Sequence, residues 1–261
     1  MDQTDGIVLR SVDFSETSLI LTIYTQDFGK ISAIAKGGRR LKGPFESSLD
    51  LLCRVRLSVI QKKSDTLDIL TESKLIWRFR PNRENYAGLQ AGYVAAELVN
   101  EFTEPGDPNR KLYRLLEKSL ADFETGNGVM RSLLRFEWAL LEQLGQKPEL
   151  HFCVECGNEL DSDDAKERFF FAPIEGGVVC NECRTHLQNA MTPAMFLSAA
   201  ARREIENLWN PHDTPKENGP GERSVLGEVR KLTTLYFQSI AGRKIRIYDL
   251  LPVIAKNNRF S

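Results

Sequence analysis

The stretch Leu51–Ile60, LLCRVRLSVI, alternates apolar and polar residues with a period of two. Successive side chains of an extended strand point to opposite faces, so this pattern predicts a β-strand that is buried on one side. The predicted inner face carries Cys53, Val55, Leu57 and Val59. The predicted outer face carries Arg54, Arg56 and Ser58.

Four further segments before residue 80 also read as strands: Gly6–Asp13, Ser18–Tyr24, Lys30–Lys36 and Leu67–Ile76. Asp27-Phe28-Gly29 and Ser64-Asp65 have the composition of hairpin turns. Five short strands in one small segment predict a closed antiparallel barrel. The OB-fold is the five-stranded barrel that binds oligonucleotides, and it is the fold expected for residues 1–80.

The pattern becomes helical after Pro81, which predicts an α+β protein with a helical domain at residues 81–261. Three apolar stripes have helical spacing: Tyr86, Leu89, Tyr93, Ala96; then Leu112, Leu115, Leu116, Leu120, Phe123; then Leu133, Phe136, Leu140, Leu144. Thr192-Pro193 predicts the start of a helix that runs to about Trp209. The stretch Pro211–Gly221 is expected to be an exposed loop before a last helix.

Four of the five cysteines form two pairs: Cys153 and Cys156, then, after 23 residues, Cys180 and Cys183. Two CxxC pairs supply the tetrahedral sulfur set that zinc prefers, and four thiolates leave no position open for catalysis. A zinc module at residues 151–187 with one structural ion is therefore expected. Free or redox-active thiols are the alternative, and His151 and His186 are spare ligands that four cysteines do not require.

The formal net charge is only −1, but its distribution is uneven. Lys30 to Lys63 holds nine basic and two acidic residues, a local charge of +7 that can attract a polyanion. The candidate DNA contacts are Lys30, Lys36, Arg39, Arg40, Lys42, Arg54 and Arg56. A solvated basic face without a ligand is the alternative. Arg202-Arg203 and Arg243–Arg246 are further basic clusters, for which surface salt bridges are an equally good explanation.

Sequence signals for an enzyme, a secreted protein or a membrane protein are lacking. The Gly38-x4-Gly43 spacing imitates a phosphate-binding loop, but Pro44 stands where that loop requires lysine. The polar start Met1–Asp5 is not a signal peptide, and apolar runs are too short to cross a bilayer. We therefore expect a non-enzymatic protein in the cytoplasm that is not associated with a membrane.

Four motifs occur in an order that resembles the bacterial RecO family over nearly the whole chain. They are the opening strands from Gly6-Ile7-Val8-Leu9-Arg10 to Ala35-Lys36-Gly37, the helical middle, the CxxCG…GGxxCxxC cysteine pattern, and the run GRKIRIYDLL near the end. In this resemblance, Lys36, Arg39 and Arg40 match the family's basic segment, and the four cysteines match its zinc-bearing members.

The resemblance implies a mediator of DNA repair and homologous recombination that binds single- and double-stranded DNA and anneals complementary strands. It implies interaction with RecR and with the C-terminal tail of the single-strand-binding protein, and loading of RecA with RecR and, in many members, RecF. Ile245–Tyr248 lacks the serine of the family's S-R-x-L element. Together with the apparent insertion at Pro211–Gly221, this leaves the surfaces for RecR and the tail open.

Three rival functions remain at this point. The first is an adaptor linked to RNA or transcription that combines an OB-fold with a zinc ribbon. The second is a zinc-stabilised scaffold for protein interactions that does not bind nucleic acid. The third, a zinc-dependent hydrolase, has the weakest support because the metal shell is closed.

Overall fold

The computed structural model describes residues 1–40, 43–45, 48–62, 66–160, 168–187, 195–209 and 220–251. The chain divides into two compact units. The first comprises Met1–Val129 with Leu250–Ser261, and the second comprises Met130–Asp249. The division at residue 80, which follows the change from strands to helices, stays a prediction.

The first unit contains a closed barrel of five strands, as predicted: β1 (Asp2–Asp13), β2 (Leu19–Thr25), β3 (Gly29–Ala35), β4 (Cys53–Ile60) and β5 (Asp68–Arg78). Their order around the barrel is β1-β2-β3-β5-β4. The pairings are antiparallel as predicted, except that β3 pairs with β5 in parallel. Strands cannot alternate in direction around a closed ring of five, and one parallel pair is therefore required.

The alternation in β4 fills the barrel core as predicted, since Cys53, Val55, Leu57 and Val59 are almost completely buried. Ser58 is also buried, which contradicts its predicted outward exposure. The pairing of β4 with β5 shifts register between Ser58 and Val59. At this irregularity the Thr71 hydroxyl donates to the Ser58 carbonyl at 3.0 Å, and the Gln3 side chain of β1 donates to the Ser58 hydroxyl at 3.4 Å.

Two helices complete the first unit: α1 (Tyr86–Phe102) and α2 (Arg110–Thr125). The predicted helix is confirmed, but its predicted stripe is buried only in part. Ala96 is buried, whereas Tyr86 is 59% exposed and Leu89 and Tyr93 are half-buried. The buried face consists mainly of small residues: Ala87, Gly88, Ala91, Gly92, Val94, Ala95, Ala96, Leu98 and Val99. Small side chains let the helix backbone approach its neighbours closely, so size rather than hydrophobic spacing determines this face.

The apolar stripe of α2 was predicted correctly. Leu112, Leu116, Leu120 and Phe123 are fully buried, whereas Leu115 is half-buried. The helix begins after Asn109, whose side chain accepts a hydrogen bond from the Leu112 amide at 2.9 Å. It ends at Gly126, whose left-handed conformation is typical of a helix C-terminus.

The second unit combines helices with a small antiparallel sheet that the sequence did not predict. The helices are α3 (Val129–Gln143), α4 (Asn181–Leu187), α5 (Ala199–Trp209) and α6 (Pro220–Ala241). The strands are β6 (Arg168–Ala172), β7 (Gly177–Val179) and β8 (Met195–Ser198), in the order β7-β6-β8. A short 3-10 helix at Arg246–Leu250 follows α6.

The start of α5 differs from the prediction. Thr192 and Pro193 lie outside the described residues, and β8 intervenes before the helix. Ser198 caps α5 instead, since its hydroxyl oxygen accepts a hydrogen bond from the Ala201 amide at 3.1 Å. The predicted end at Trp209 is confirmed. The predicted turn Ser64-Asp65 and most of the predicted Pro211–Gly221 loop lie outside the described residues, and Pro220 and Gly221 begin α6.

The core of the second unit lies around α3. Trp138 is completely buried, and its indole nitrogen donates to the Thr233 hydroxyl at 3.0 Å. Glu137 forms an ion pair with Arg230 in the same region, and burial, the largest influence, raises the pKa of Glu137. Among the helices that the structure describes, none has both the length and the apolarity needed to span a membrane.

Replacement of Gly88 by Ala is expected to destabilise the first unit by about 1–3 kcal/mol, the usual cost of overpacking. A Cβ atom at this position would lie 2.3 Å from the Phe123 carbonyl oxygen, a backbone atom that cannot move aside easily. The matched control is Gly227→Ala, at an exposed position of α6 with open space around the new Cβ, which should stabilise by about 0.5–1 kcal/mol. Urea unfolding of both variants measures the difference, and equal midpoints would contradict the close packing of α1.

Candidate nucleic-acid interface and metal centre

A basic turn follows β3 at one end of the barrel. We call residues Lys36–Arg40 the rim turn. Gly37 adopts a positive φ of 79°, and the Arg40 amide donates to the Gly37 carbonyl at 3.0 Å. Lys36, Arg39 and Arg40 are exposed. The structure thus places three of the predicted DNA contacts in one short turn.

The rim turn is attached to the loop between β1 and β2. The Arg39 amide donates to the Thr17 carbonyl at 3.1 Å, and the Arg39 guanidinium donates to the Ser15 carbonyl at 3.3 Å. The guanidinium also lies 3.3 Å from the Asp13 carboxylate, and both side chains are well exposed. An exposed pair of this kind contributes about 1 kcal/mol or less, so the guanidinium stays available to another anion. The sequence did not lead us to include this loop in the candidate interface, although its polar residues between two predicted strands indicate an exposed loop.

Arg54 and Arg56 form ion pairs within the first unit instead of lining a groove as two free charges. Arg56 Nε lies 2.9 Å from Asp5 Oδ1, and Arg54 Nη2 lies 3.4 Å from Asp5 Oδ2. Arg54 also contacts the Glu117 carboxylate of α2. The Arg54 side chain is 27% exposed and that of Arg56 is 64% exposed. Arg54 therefore connects strands to a helix, and Arg56 is the more accessible of the two.

The two remaining candidate DNA contacts are not part of the rim turn. Lys30 Nζ donates to the Asn100 carbonyl at 2.6 Å, near the end of α1. Burial is the largest influence on the pKa of Lys30 and lowers it, although Glu104 and Glu101 oppose this shift. Lys42 lies outside the described residues. Lys30 thus forms an internal contact and is less free than the exposed residues of the rim turn.

The four paired cysteines come together in the second unit. Cys153, Cys156, Cys180 and Cys183 place their sulfur atoms within 4.8 Å of one another, and the sulfurs of Cys156 and Cys180 are 3.8 Å apart. A tetrahedral site with metal–sulfur distances of about 2.3 Å has sulfur–sulfur edges of about 3.8 Å. The cluster can therefore hold a metal ion in the way that the sequence predicted.

Backbone amides point toward the sulfurs of this cluster. The Cys180 amide donates to the Cys153 sulfur at 3.3 Å, and the Cys183 amide donates to the Cys180 sulfur at 3.4 Å. Burial raises the pKa of the Cys153 thiol, but hydrogen bonds from three backbone amides outweigh it and lower that pKa to about 6. Interactions with the other cysteines raise the pKa of Cys183. A cation is the group that lets all four sulfurs ionise at such short distances.

Of the two spare histidine ligands, only the side chain of His151 is among those that the structure describes. His151 lies outside the four-sulfur group, and its Nε2 atom is 3.4 Å from the Glu206 carboxylate. His186 has no described side chain. The fifth cysteine, Cys53, is buried in the barrel core as predicted.

Replacement of Arg54 by Ala is expected to lower the free energy of unfolding by about 1–3 kcal/mol, because Glu117 loses its partner and Asp5 retains only Arg56. Arg56→Ala is the matched control. It removes the same charge from the same strand and leaves the Arg54 contacts in place, so its effect should be smaller. Chemical unfolding of both variants tests this ranking, and a larger loss for Arg56→Ala would reverse the assignment of roles.

Comparison with known proteins identifies relatives over most of the chain. Residues 1–79 match the family model "Recombination protein O N terminal", and residues 83–217 match "Recombination protein O C terminal". A DNA repair protein RecO of Rhodopirellula baltica is 38% identical, with 95% of this chain and 97% of that protein covered. A RecO of Symbiobacterium thermophilum is 33% identical, with 96% of each chain covered. The barrel, the four-cysteine cluster and these matches show that the chain belongs to the RecO family of DNA repair proteins.

Proposed function

We propose that the protein is a recombination mediator that binds single- and double-stranded DNA and anneals complementary strands without covalent chemistry. The observation that carries the proposal is the rim turn, in which Lys36, Arg39 and Arg40 are exposed together at the end of an OB-like barrel. In the described residues, Lys36 and Arg40 have no ion-pair partner, and Arg39 has only the exposed contact with Asp13. Membership of the RecO family supports the assignment of DNA as the polyanion.

Annealing requires two like-charged strands to approach each other. Cationic side chains on a protein surface release counterions from the phosphates and reduce this repulsion. Arginine and lysine contacts with phosphates do not depend on base sequence, which suits a protein that must act on any damaged region. We assign the main contacts to the rim turn. Three further residues stay proposed contacts of secondary weight because they form internal contacts: Lys30, Arg54 and Arg56. Lys42 also stays a proposed contact and lies outside the described residues.

We further propose that the protein helps load RecA, together with RecR and, as in many members of the family, RecF, onto DNA coated by the single-strand-binding protein. Family membership supports these partners, including the C-terminal tail of the single-strand-binding protein, and it supports a cytoplasmic, nucleoid-associated location. The acidic tail with an apolar end should bind where exposed apolar residues adjoin a basic group. The surface that binds RecR has no assignment in this proposal.

We propose zinc as the metal of the four-cysteine cluster. Cys153, Cys156, Cys180 and Cys183 would hold it, and a shell of four thiolates gives zinc a structural role. Val179 and Ala172 are buried and pack with Cys153 in the same small core. Bound zinc would therefore stabilise the β6–β7 hairpin together with these apolar contacts.

Strand annealing tests the proposed function. Two complementary oligonucleotides with donor and acceptor dyes are coated with single-strand-binding protein, and energy transfer is followed with and without the full-length chain. We expect acceleration that declines as salt concentration rises, because the contacts are with phosphates. Absence of acceleration, together with no binding to naked DNA at low salt, would favour the scaffold function. Tighter binding to RNA than to DNA would favour the RNA-linked adaptor.

Replacement of Arg39 and Arg40 by Ala is expected to weaken binding to all DNA sequences and to slow annealing. The slope of log affinity against log salt should become shallower by about 0.7 for each lost contact with single-stranded DNA. The charge-matched control is Lys111→Ala with Arg114→Ala, two exposed positions of α2 in the same unit. Fluorescence anisotropy titrations at several salt concentrations measure both slopes. Identical slopes for the two double variants would reject the rim turn as the main contact.

Removal of the metal is expected to unfold part of the second unit. Cys180→Ser should release one zinc ion per chain and expose the β6–β7 amides to exchange, because metal binding in such modules is coupled to folding. Cys53→Ala, which changes the cysteine of the barrel core, is the control and should retain its zinc. Elemental analysis and hydrogen-exchange mass spectrometry test this. Full zinc content and unchanged exchange in Cys180→Ser would contradict the assigned ligand set.

A further inference from the structure

An apolar row crosses the outer surface of the barrel. Val12 of β1 is paired with Ile20 of β2, Ile20 with Ile34 of β3, and Ile34 with Ile69 of β5. We call these four residues the outer row. The three isoleucines point outward because the adjacent Leu21, Ala33 and Leu70 fill the barrel core, and Val12 is the strand partner of Ile20. Val12 is 41% exposed, and the isoleucines are half-buried. Interior packing therefore does not account for the apolar character of this surface.

An exposed aromatic ring stands at one end of the outer row. Phe14 is 60% exposed, and in the described part of the chain it stacks on no other ring and no cation. Its position is nevertheless defined, because the Phe14 amide donates to the Ser18 carbonyl at 3.0 Å. The Ser18 amide in turn donates to the Ser15 hydroxyl at 3.2 Å. A tight turn thus presents an aromatic face to solvent.

The turn that follows Phe14 is hydrogen-bonded to the rim turn. Arg39 donates to the carbonyls of Ser15 and Thr17, so Phe14 and the exposed bases belong to one pair of connected loops. The loops and the adjoining end of β1 carry Arg10, Lys36, Arg39 and Arg40 against the acids Asp13 and Glu16. Phosphate-binding charge and an aromatic face are therefore adjacent, which is the combination found where proteins bind single strands without base specificity.

We propose that Phe14 is a stacking platform for a base of single-stranded DNA and that the outer row extends its apolar surface. This inference rests on the proposed function and adds a preference for single strands over duplex. Bases of a single strand expose their faces, whereas in a duplex both faces are already stacked. The excess of positive charge beside the ring favours an anionic occupant, which fits a single strand of DNA and also the acidic tail of the single-strand-binding protein. We commit to the single strand because its bases present flat faces that stack on an aromatic ring. Tail binding that Phe14→Ala abolishes, with affinity for oligo(dT) unchanged, would assign this surface to the tail instead.

Three probes of equal length separate stacking from phosphate binding: oligo(dT), an abasic strand that keeps its phosphates, and a duplex. The full-length wild-type chain should bind oligo(dT) more tightly than the abasic strand. Phe14→Ala should weaken binding to oligo(dT) by about tenfold and remove that difference. Binding to the abasic strand and to the duplex should be unchanged, and the salt slope should stay the same because no phosphate contact is lost.

Two further variants serve as controls. Phe14→Trp keeps an aromatic face and should retain the preference for oligo(dT), with quenching of the new indole fluorescence on binding. Tyr86→Ala removes another exposed ring from the first unit, 59% exposed on α1, and should leave all three affinities unchanged.

The possible failures are distinguishable. If the wild-type chain binds none of the probes at low salt, the proposed function fails and the stacking platform fails with it. If the wild type binds but Phe14→Ala binds oligo(dT) equally well, the proposed function stands and the platform is rejected. Self-association that Phe14→Ala abolishes, with DNA affinity unchanged, would instead assign this surface to contact between two copies of the chain.

Discussion

The closure of a five-stranded barrel is the constraint on which the candidate interface depends. Because β3 pairs with β5 and not with β4, the chain must cross one end of the barrel between Ala35 and Cys53. This connection carries the rim turn. After the rim turn, this connection is anchored by Phe45 and Leu49, which are buried in the barrel core. The Ser48 hydroxyl adds a hydrogen bond to the Ser73 hydroxyl at 2.9 Å. Topology therefore places the basic residues at the rim, and core packing keeps them there.

The barrel strands could be predicted from the sequence because apolar and polar residues alternate along them, and this alternation indicates which side of each strand is buried. The same reasoning predicted α1 as a helix but misplaced its buried face, which combines glycine and alanine with Val94, Leu98 and Val99. It also failed for β6, β7 and β8, which are three to five residues long and too short for a clear period. The spacing of the four cysteines predicted their cluster, since the ligand geometry of a metal leaves few alternatives.

Only part of the charge distribution on the surface could be predicted from the sequence. The local excess of bases between Lys30 and Lys63 is a property of the sequence, but the accessibility of each base depends on partners that are distant along the chain. Asp5 approaches Arg54 and Arg56 because β1 pairs with β4. Lys30 donates a hydrogen bond to the Asn100 carbonyl, which is far away along the chain. Lys36 and Arg40 have no such partner in the described residues. A count of positive charges therefore overestimates the number that can bind a ligand.

The exposed pair between Asp13 and Arg39 has a consequence for the lifetime of a complex. A phosphate that binds Arg39 must compete with a carboxylate that is already 3.3 Å away, so some of the attraction is offset before any strand arrives. Among related complexes, such differences in affinity act mainly on the dissociation rate. Under the proposed annealing function, the protein must release the paired product to act again. An acidic neighbour beside one of the three bases of the rim turn would therefore favour rapid exchange of a bound strand over long residence.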